Sequence, residues 1–150
     1  MKMSTGSLVG IVGGVLVIMG VILPWWSGSN GVSTVSFSGL DAGANTFGYI
    51  MIVFGLLGLV MVAPGKRGLA IGSIVFGVLA MLLYLMVIAI MGLINWASGL
   101  SGTITTSTGY GLYIGFIGSI LLIVGAVMAR SAAKKAVAAP VAPPAPPMAP

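Results

Sequence analysis

Four long apolar runs divide this sequence: Leu8 to Trp26, Phe47 to Ala63, Leu69 to Ile94 and Tyr110 to Ala129. None of them carries a charged side chain. A helix needs about 20 apolar residues, usually about 17–25, to cross a hydrocarbon core of about 30 Å. In lipid the backbone polar groups must be satisfied within the segment, which selects helices for runs of this length. The pattern therefore predicts an all-α membrane protein whose residues 1–129 form a bundle of four transmembrane helices over 8–26, 47–63, 69–94 and 110–129. The second run is short for a span. The third is slightly long and is expected to tilt or to project beyond the lipid.

The polar segments between the runs set the orientation. Lys2 precedes the first run, Lys66 and Arg67 separate the second from the third, and Arg130, Lys134 and Lys135 follow the fourth. With four crossings these segments share one side, and they hold all six basic residues of the chain. Short-loop Lys/Arg bias places that side in the cytoplasm, so both termini are expected there, in a multi-pass protein of the cytoplasmic membrane. Trp25, Trp26 and Trp96 lie at the outer ends of runs one and three, with Tyr49 and Tyr110 at the outer starts of runs two and four. Those are the places where aromatic interface anchors belong. Lys2 before an apolar run also fits a signal peptide. However, the apolar core exceeds a usual signal core, and no small-residue cleavage site follows Pro24-Trp25-Trp26. The first run is read as a retained span.

The two outer loops are Ser27–Thr46 and Asn95–Gly109. Val32–Ser38 alternates partly, and Thr103–Thr108 is rich in β-branched residues. A two-stranded cap made from these two segments follows, marginal as an isolated pair. The loops also share a W-x-S-G-x-x-G pattern, at Trp25–Gly31 and Trp96–Gly102, 71 positions apart. It fits either a parallel duplication of two helical hairpins or the recurrence of common loop residues. After Arg130 the chain becomes a small basic cluster and then an Ala/Val/Pro tract holding six of the eight prolines. Residues 130–150 are expected to be a disordered spacer with polyproline II character.

Composition narrows what the bundle can do. Mean hydropathy is +1.22, and charged residues make up 5% of the chain, against about 25% in soluble domains; lipid must cover this surface. The net charge of +5 does not indicate a nucleic-acid partner, because the basic residues sit at the ends of apolar runs and not on one face. Cysteine and histidine are both absent, and Asp41 is the only acidic residue. A lone carboxylate in the turn-like Ser38-Gly-Leu-Asp41 cannot form a catalytic pair, and the reading for it is a turn residue. No ionisable side chain lies in a span, which argues against a proton relay. Gly65-Lys66-Arg67-Gly68 is a tight turn and not a phosphate loop. No catalytic, cofactor-binding or metal-binding residue and no small-molecule substrate is expected; the expected partners are membrane lipid and other membrane subunits or a second copy.

Glycine is the strongest remaining signal, with 24 residues. Run one holds Gly6, Gly10 and Gly14. Run three opens with Gly68 and Gly72, followed by Ser73 and Gly77, and run four holds Gly111, Gly115 and Ser119. Residues four apart share a helix face, and small residues let helices approach closely in lipid. These faces either close the bundle internally or form a subunit interface. Met81, Met86 and Met91 make the second half of run three bulky, which suits lipid contact, core packing or a partner surface.

At Leu23-Pro-Trp-Trp26 and Ser38-Gly-Leu-Asp41, followed by a glycine-rich second helix, the chain resembles small four-helix membrane proteins of prokaryotes that carry no known activity. In topology it is also similar to claudins and tetraspanins, with four helices, cytoplasmic termini and two outer loops. The claudin likeness keeps only a tryptophan near the end of run one, Trp25 or Trp26. The tetraspanin likeness lacks the large second loop and its Cys-Cys-Gly motif. The resemblance implies architecture and no activity. The expected function is that of a non-enzymatic membrane protein acting by lateral association, as a homo-oligomer or an accessory subunit of a membrane complex. The alternative is a passive channel or transporter component.

Overall fold

Local breakers decide where each apolar run ends. The computed structural model describes residues 4–41, 45–101 and 105–138. Four helices cover the runs: α1 (Thr5–Ile22), α2 (Asn45–Val62), α3 (Arg67–Ser101) and α4 (Tyr110–Ala138). All four are long and apolar enough to cross a membrane. Ser4 caps α1, its hydroxyl accepting the Ser7 amide at 3.1 Å, which satisfies one of the free N–H groups of the first turn. At the other end Leu23 is extended, with φ −74° and ψ 158°, because the residue before a proline is driven out of the α region. The helix expected to reach Trp26 thus stops at Ile22, and Trp25 and Trp26 belong to a strand.

Two helices run further than expected. α3 continues from Ile94 to Ser101, through a stretch that holds no proline and whose poorest helix former is Gly99, a cost of about 1 kcal/mol. α4 continues past Ala129 to Ala138. The expectation of disorder from residue 130 is corrected there: Ala, Arg and Lys are among the best helix formers, and the first proline comes at Pro140. Residues 139–150, with the rest of the proline tract, lie outside the described residues.

The helices form an antiparallel ring in which α1 touches α2 and α4, α3 touches α2 and α4, and α1–α4 is the most extensive contact. The α2–α3 turn is tight, and Gly65 takes a positive φ of 63° that a side chain would oppose. At the opposite end lie β1 (Pro24–Ser29), β2 (Thr34–Ser38) and β3 (Thr105–Thr108). They form one antiparallel sheet in the order β2-β1-β3. Trp26 stands opposite Phe37 on one side and Thr108 on the other, with a bulge at Trp25. The two β-prone loop segments do supply β2 and β3, but they do not pair with each other. Both pair with β1, which sequence patterning divided between the end of the first helix and the start of the outer loop. The two W-x-S-G copies also part company, one on β1 and the other inside α3.

Candidate functional site

The glycines meet one another along α1 and α4. A Cβ on Gly6 would lie 2.8 Å from the Gly125 carbonyl oxygen and overlap the Ala129 amide. One on Gly13 would lie 2.7 Å from the Gly118 oxygen, and one on Gly20 would lie 2.8 Å from the Gly111 oxygen. Gly6, Gly13 and Gly20 therefore face Gly125, Gly118 and Gly111, each set spaced by seven residues on helices running in opposite directions. Backbone touches backbone along the whole seam. Of these, Gly13, Gly20, Gly118 and Gly125 escape a search for four-residue steps. The seven-residue spacing that marks them is legible in the sequence.

The other small residues flagged by spacing are distributed differently. Gly10 and Gly14 turn toward α2, where added carbons would meet Val62 and Leu59. Gly72 abuts Met61, Gly77 abuts Ile123, and Gly115 receives the ring of Tyr84. Gly68 has open space around it. Ser119 is buried within α4 and bonds back to the Gly115 carbonyl at 2.9 Å.

The buried hydroxyls of Tyr84, Ser73 and Ser119 are spent on backbone. Tyr84 crosses the core to donate to the Val17 carbonyl at 2.7 Å, and Ser73 donates to Gly58 at 2.9 Å. Tyr84, Val17, Val21, Met51 and Leu112 are fully buried around Trp25. Trp25 itself is 1% exposed, donates its indole N–H to Gly20 at 2.8 Å, and meets Tyr84 edge-on at 6.3 Å between ring centroids. It plugs the sheet end of the bundle, so its expected place as an interface anchor is corrected. Its ring lies against Gly39, whose amide bonds to Val21 at 2.9 Å. Trp26 is half-buried and packs on Phe37. Trp96 and Tyr110 are exposed.

The two ends of the bundle differ in chemistry. At one end Gly65 approaches the Ser7 hydroxyl and Ala129 abuts Gly6, which gathers the Lys66 turn and Arg130 around the start of α1. Lys66, Arg130, Lys134 and Lys135 are all exposed, and Arg67 opens α3 at the same end. Lys2 lies outside the described residues. The sheet end is neutral except for Asp41. Its carboxylate accepts the Ser38 amide, and hydrogen bonds from the Ser38 backbone and side chain hold its pKa below the ordinary carboxylate value. It acts as a turn residue there.

The sheet carries an open cleft of about 240 Å³ lined by Trp26, Phe37, Val35, Asn30 and neighbouring serines and glycine. Such a lining can stack a planar or apolar group and offers no acid–base pair. Asn95 ties α3 to the sheet by donating to the Thr108 hydroxyl at 2.9 Å. The Trp26 indole nitrogen and the Asn95 carbonyl oxygen are buried without a hydrogen-bond partner. No protein-family model and no curated protein matches this chain in sequence.

Proposed function

We propose that this chain is a non-enzymatic integral membrane protein of the cytoplasmic membrane that works by lateral association, with the basic end cytoplasmic and the sheet end on the opposite side. The orientation rests on the gathering of basic residues at one end of the bundle. The observation that carries the function is the closed centre. Tyr84 lies across the bundle against Val17 and Gly115, Trp25 fills the sheet end, and the buried hydroxyls of Ser73, Ser119 and Tyr84 are bonded to backbone carbonyls. Among the described residues, such a core offers a solute neither a lumen nor a polar relay. What the molecule presents is its outer helical surface and the neutral sheet.

Blue-native electrophoresis in mild detergent tests this reading. A discrete assembly larger than one chain is expected, and a monomer at every protein concentration contradicts it. Solute flux in liposomes separates the channel reading: the closed core predicts no flux above protein-free vesicles.

A further inference from the structure

The basic end of the bundle has no acidic side chain to balance it. Asp41, the only acidic residue of the sequence, follows β2 at the opposite end, where its carboxylate accepts the Ser38 amide. Lys66, Arg130, Lys134 and Lys135 are exposed at the basic end, and none of them has a carboxylate side chain within reach. Their depth in the bilayer follows from α4. Residues 110–129 rise about 30 Å at 1.5 Å per residue, the thickness of the hydrocarbon core. Arg130 therefore stands at the edge of the hydrocarbon. Lys134 and Lys135 stand about 6–8 Å further out, inside a headgroup layer about 5–8 Å deep. α1 begins at the level of Ala129, whose amide a Cβ on Gly6 would overlap, so α4 carries these cations on past its main neighbour.

The fold also brings two of these cations together. Gly65 lies against the Ser7 hydroxyl, and Ala129 lies against Gly6. Gly6 and Ser7 are consecutive in the first turn of α1, so Lys66 and Arg130 flank that turn from two distant parts of the chain. Neither position is loose. The positive φ of Gly65 shapes the turn that presents Lys66, and the Lys66 carbonyl accepts the Ala70 amide at 3.0 Å at the start of α3. Arg130 continues the helix of α4 directly from buried Ala129. Like charges held near one another repel. An anion placed between them removes that repulsion.

We infer that the basic end binds an anionic phospholipid, its phosphate held between Lys66 and Arg130 beside the first turn of α1, with Lys134 and Lys135 as an outer pair facing the headgroup. Lys and Arg donate charge-assisted hydrogen bonds to phosphate oxygens, and the Arg guanidinium can donate two in parallel. Lipid is the occupant because these cations stand at the depth of the lipid phosphates, and a leaflet of anionic lipid attracts Lys and Arg. A zwitterionic headgroup brings its own ammonium to the same place; an anionic headgroup leaves its charge for the protein. The bound phosphate joins the α2–α3 turn to α4 across α1, so it stabilises the folded bundle by binding to it. The site is independent of lateral association and is present in a single chain.

The test is the lipid selectivity of the full chain reconstituted in phosphatidylcholine bilayers, read by electron spin resonance with spin-labelled phosphatidylglycerol and, separately, spin-labelled phosphatidylcholine. One cation near an anionic surface is equivalent to about fivefold in association, so a preference for phosphatidylglycerol of at least about threefold is expected after screening. Lys66→Gln with Arg130→Gln should bring the two lipids level, while Lys66→Arg with Arg130→Lys keeps the preference. Lys134→Gln with Lys135→Gln should reduce it by less than the first pair does. Helical circular dichroism should be the same in every variant, since all four side chains are exposed. Equal association of the two lipids with the unaltered chain overturns the inference. So does a preference that survives loss of Lys66 and Arg130, or one that falls equally with either pair, because neither outcome leaves a site at α1. Displacement of the labelled phosphatidylglycerol by inorganic phosphate, beyond that caused by chloride at equal ionic strength, makes this a soluble-anion site and overturns it as well.

Discussion

Two helix surfaces in this molecule behave oppositely. The α1–α4 seam is made of glycine and is buried backbone against backbone; the outward side of α3 carries Val75, Leu79, Leu82 and Met86, all exposed. Lipid explains the contrast. Apolar side chains gain no hydrophobic free energy by leaving hydrocarbon, so helices join where backbones can come close. Bulk alone therefore leaves a helix face in lipid, while absent side chains pull two helices together.

Filling the glycine seam is the severest way to break this contrast. Gly13→Leu puts a side chain where the Gly118 carbonyl and the Leu122 amide already lie. Neither backbone can yield without parting α1 from α4. The expected cost is at or above the upper end of the ~1–3 kcal/mol of ordinary overpacking, seen as loss of folded protein in detergent by protease resistance. A smaller effect comes from Tyr84→Phe, which deletes the hydroxyl donated to Val17 and keeps the ring. A loss of about 0.6–1 kcal/mol is expected from denaturant titration of the purified protein.

Smaller still is the effect of pH at the sheet end. The Asp41 pKa is lower in the folded turn than in the unfolded chain. Its contribution is therefore fully present above the ordinary value of about 4 and is lost as pH falls through the lowered one. Thermal midpoints should be flat from neutral pH to about pH 4 and decline below it, and Asp41→Asn should flatten that acid limb. The smallest effect is reserved for the outward side of α3 inside lipid. Leu82→Ala, at an exposed position, should change stability by less than about 0.5 kcal/mol, measured by the same denaturant titration.

The spans were legible because an apolar run of about 20 residues has few alternatives, and the convergence of basic residues on one end was legible as charge pattern. Helix ends were read less well. Pro24, four residues after the last glycine of the seam, ends α1 at Ile22, yet hydropathy alone carries the run through two tryptophans. The absence of a breaker after Ile94 extends α3, although polar Asn95 and Ser98 suggest a loop. The sheet was half legible: β2 and β3 follow from β-branched alternation, but their shared partner Trp26-Ser-Gly28 shows no strand pattern and is recruited by contacts distant in sequence. Trp25 misled for a related reason. A tryptophan at the end of an apolar run reads as an interface anchor, and only the bulge in β1 shows that it turns inward onto Tyr84. The glycine faces were visible, but the four-residue step favoured by close-packed pairs hid the seven-residue register in which α1 and α4 actually meet.

The sharpest test of the contrast is the mass of the purified protein in mild detergent, measured by light scattering with the helical circular dichroism recorded on the same samples. The account predicts a folded assembly larger than one chain for the unaltered protein. Gly118→Val, in the α1–α4 seam, should yield no well-folded species at all. A Gly118→Val protein that is a well-folded monomer would show that the glycine seam joins separate chains and would contradict the account.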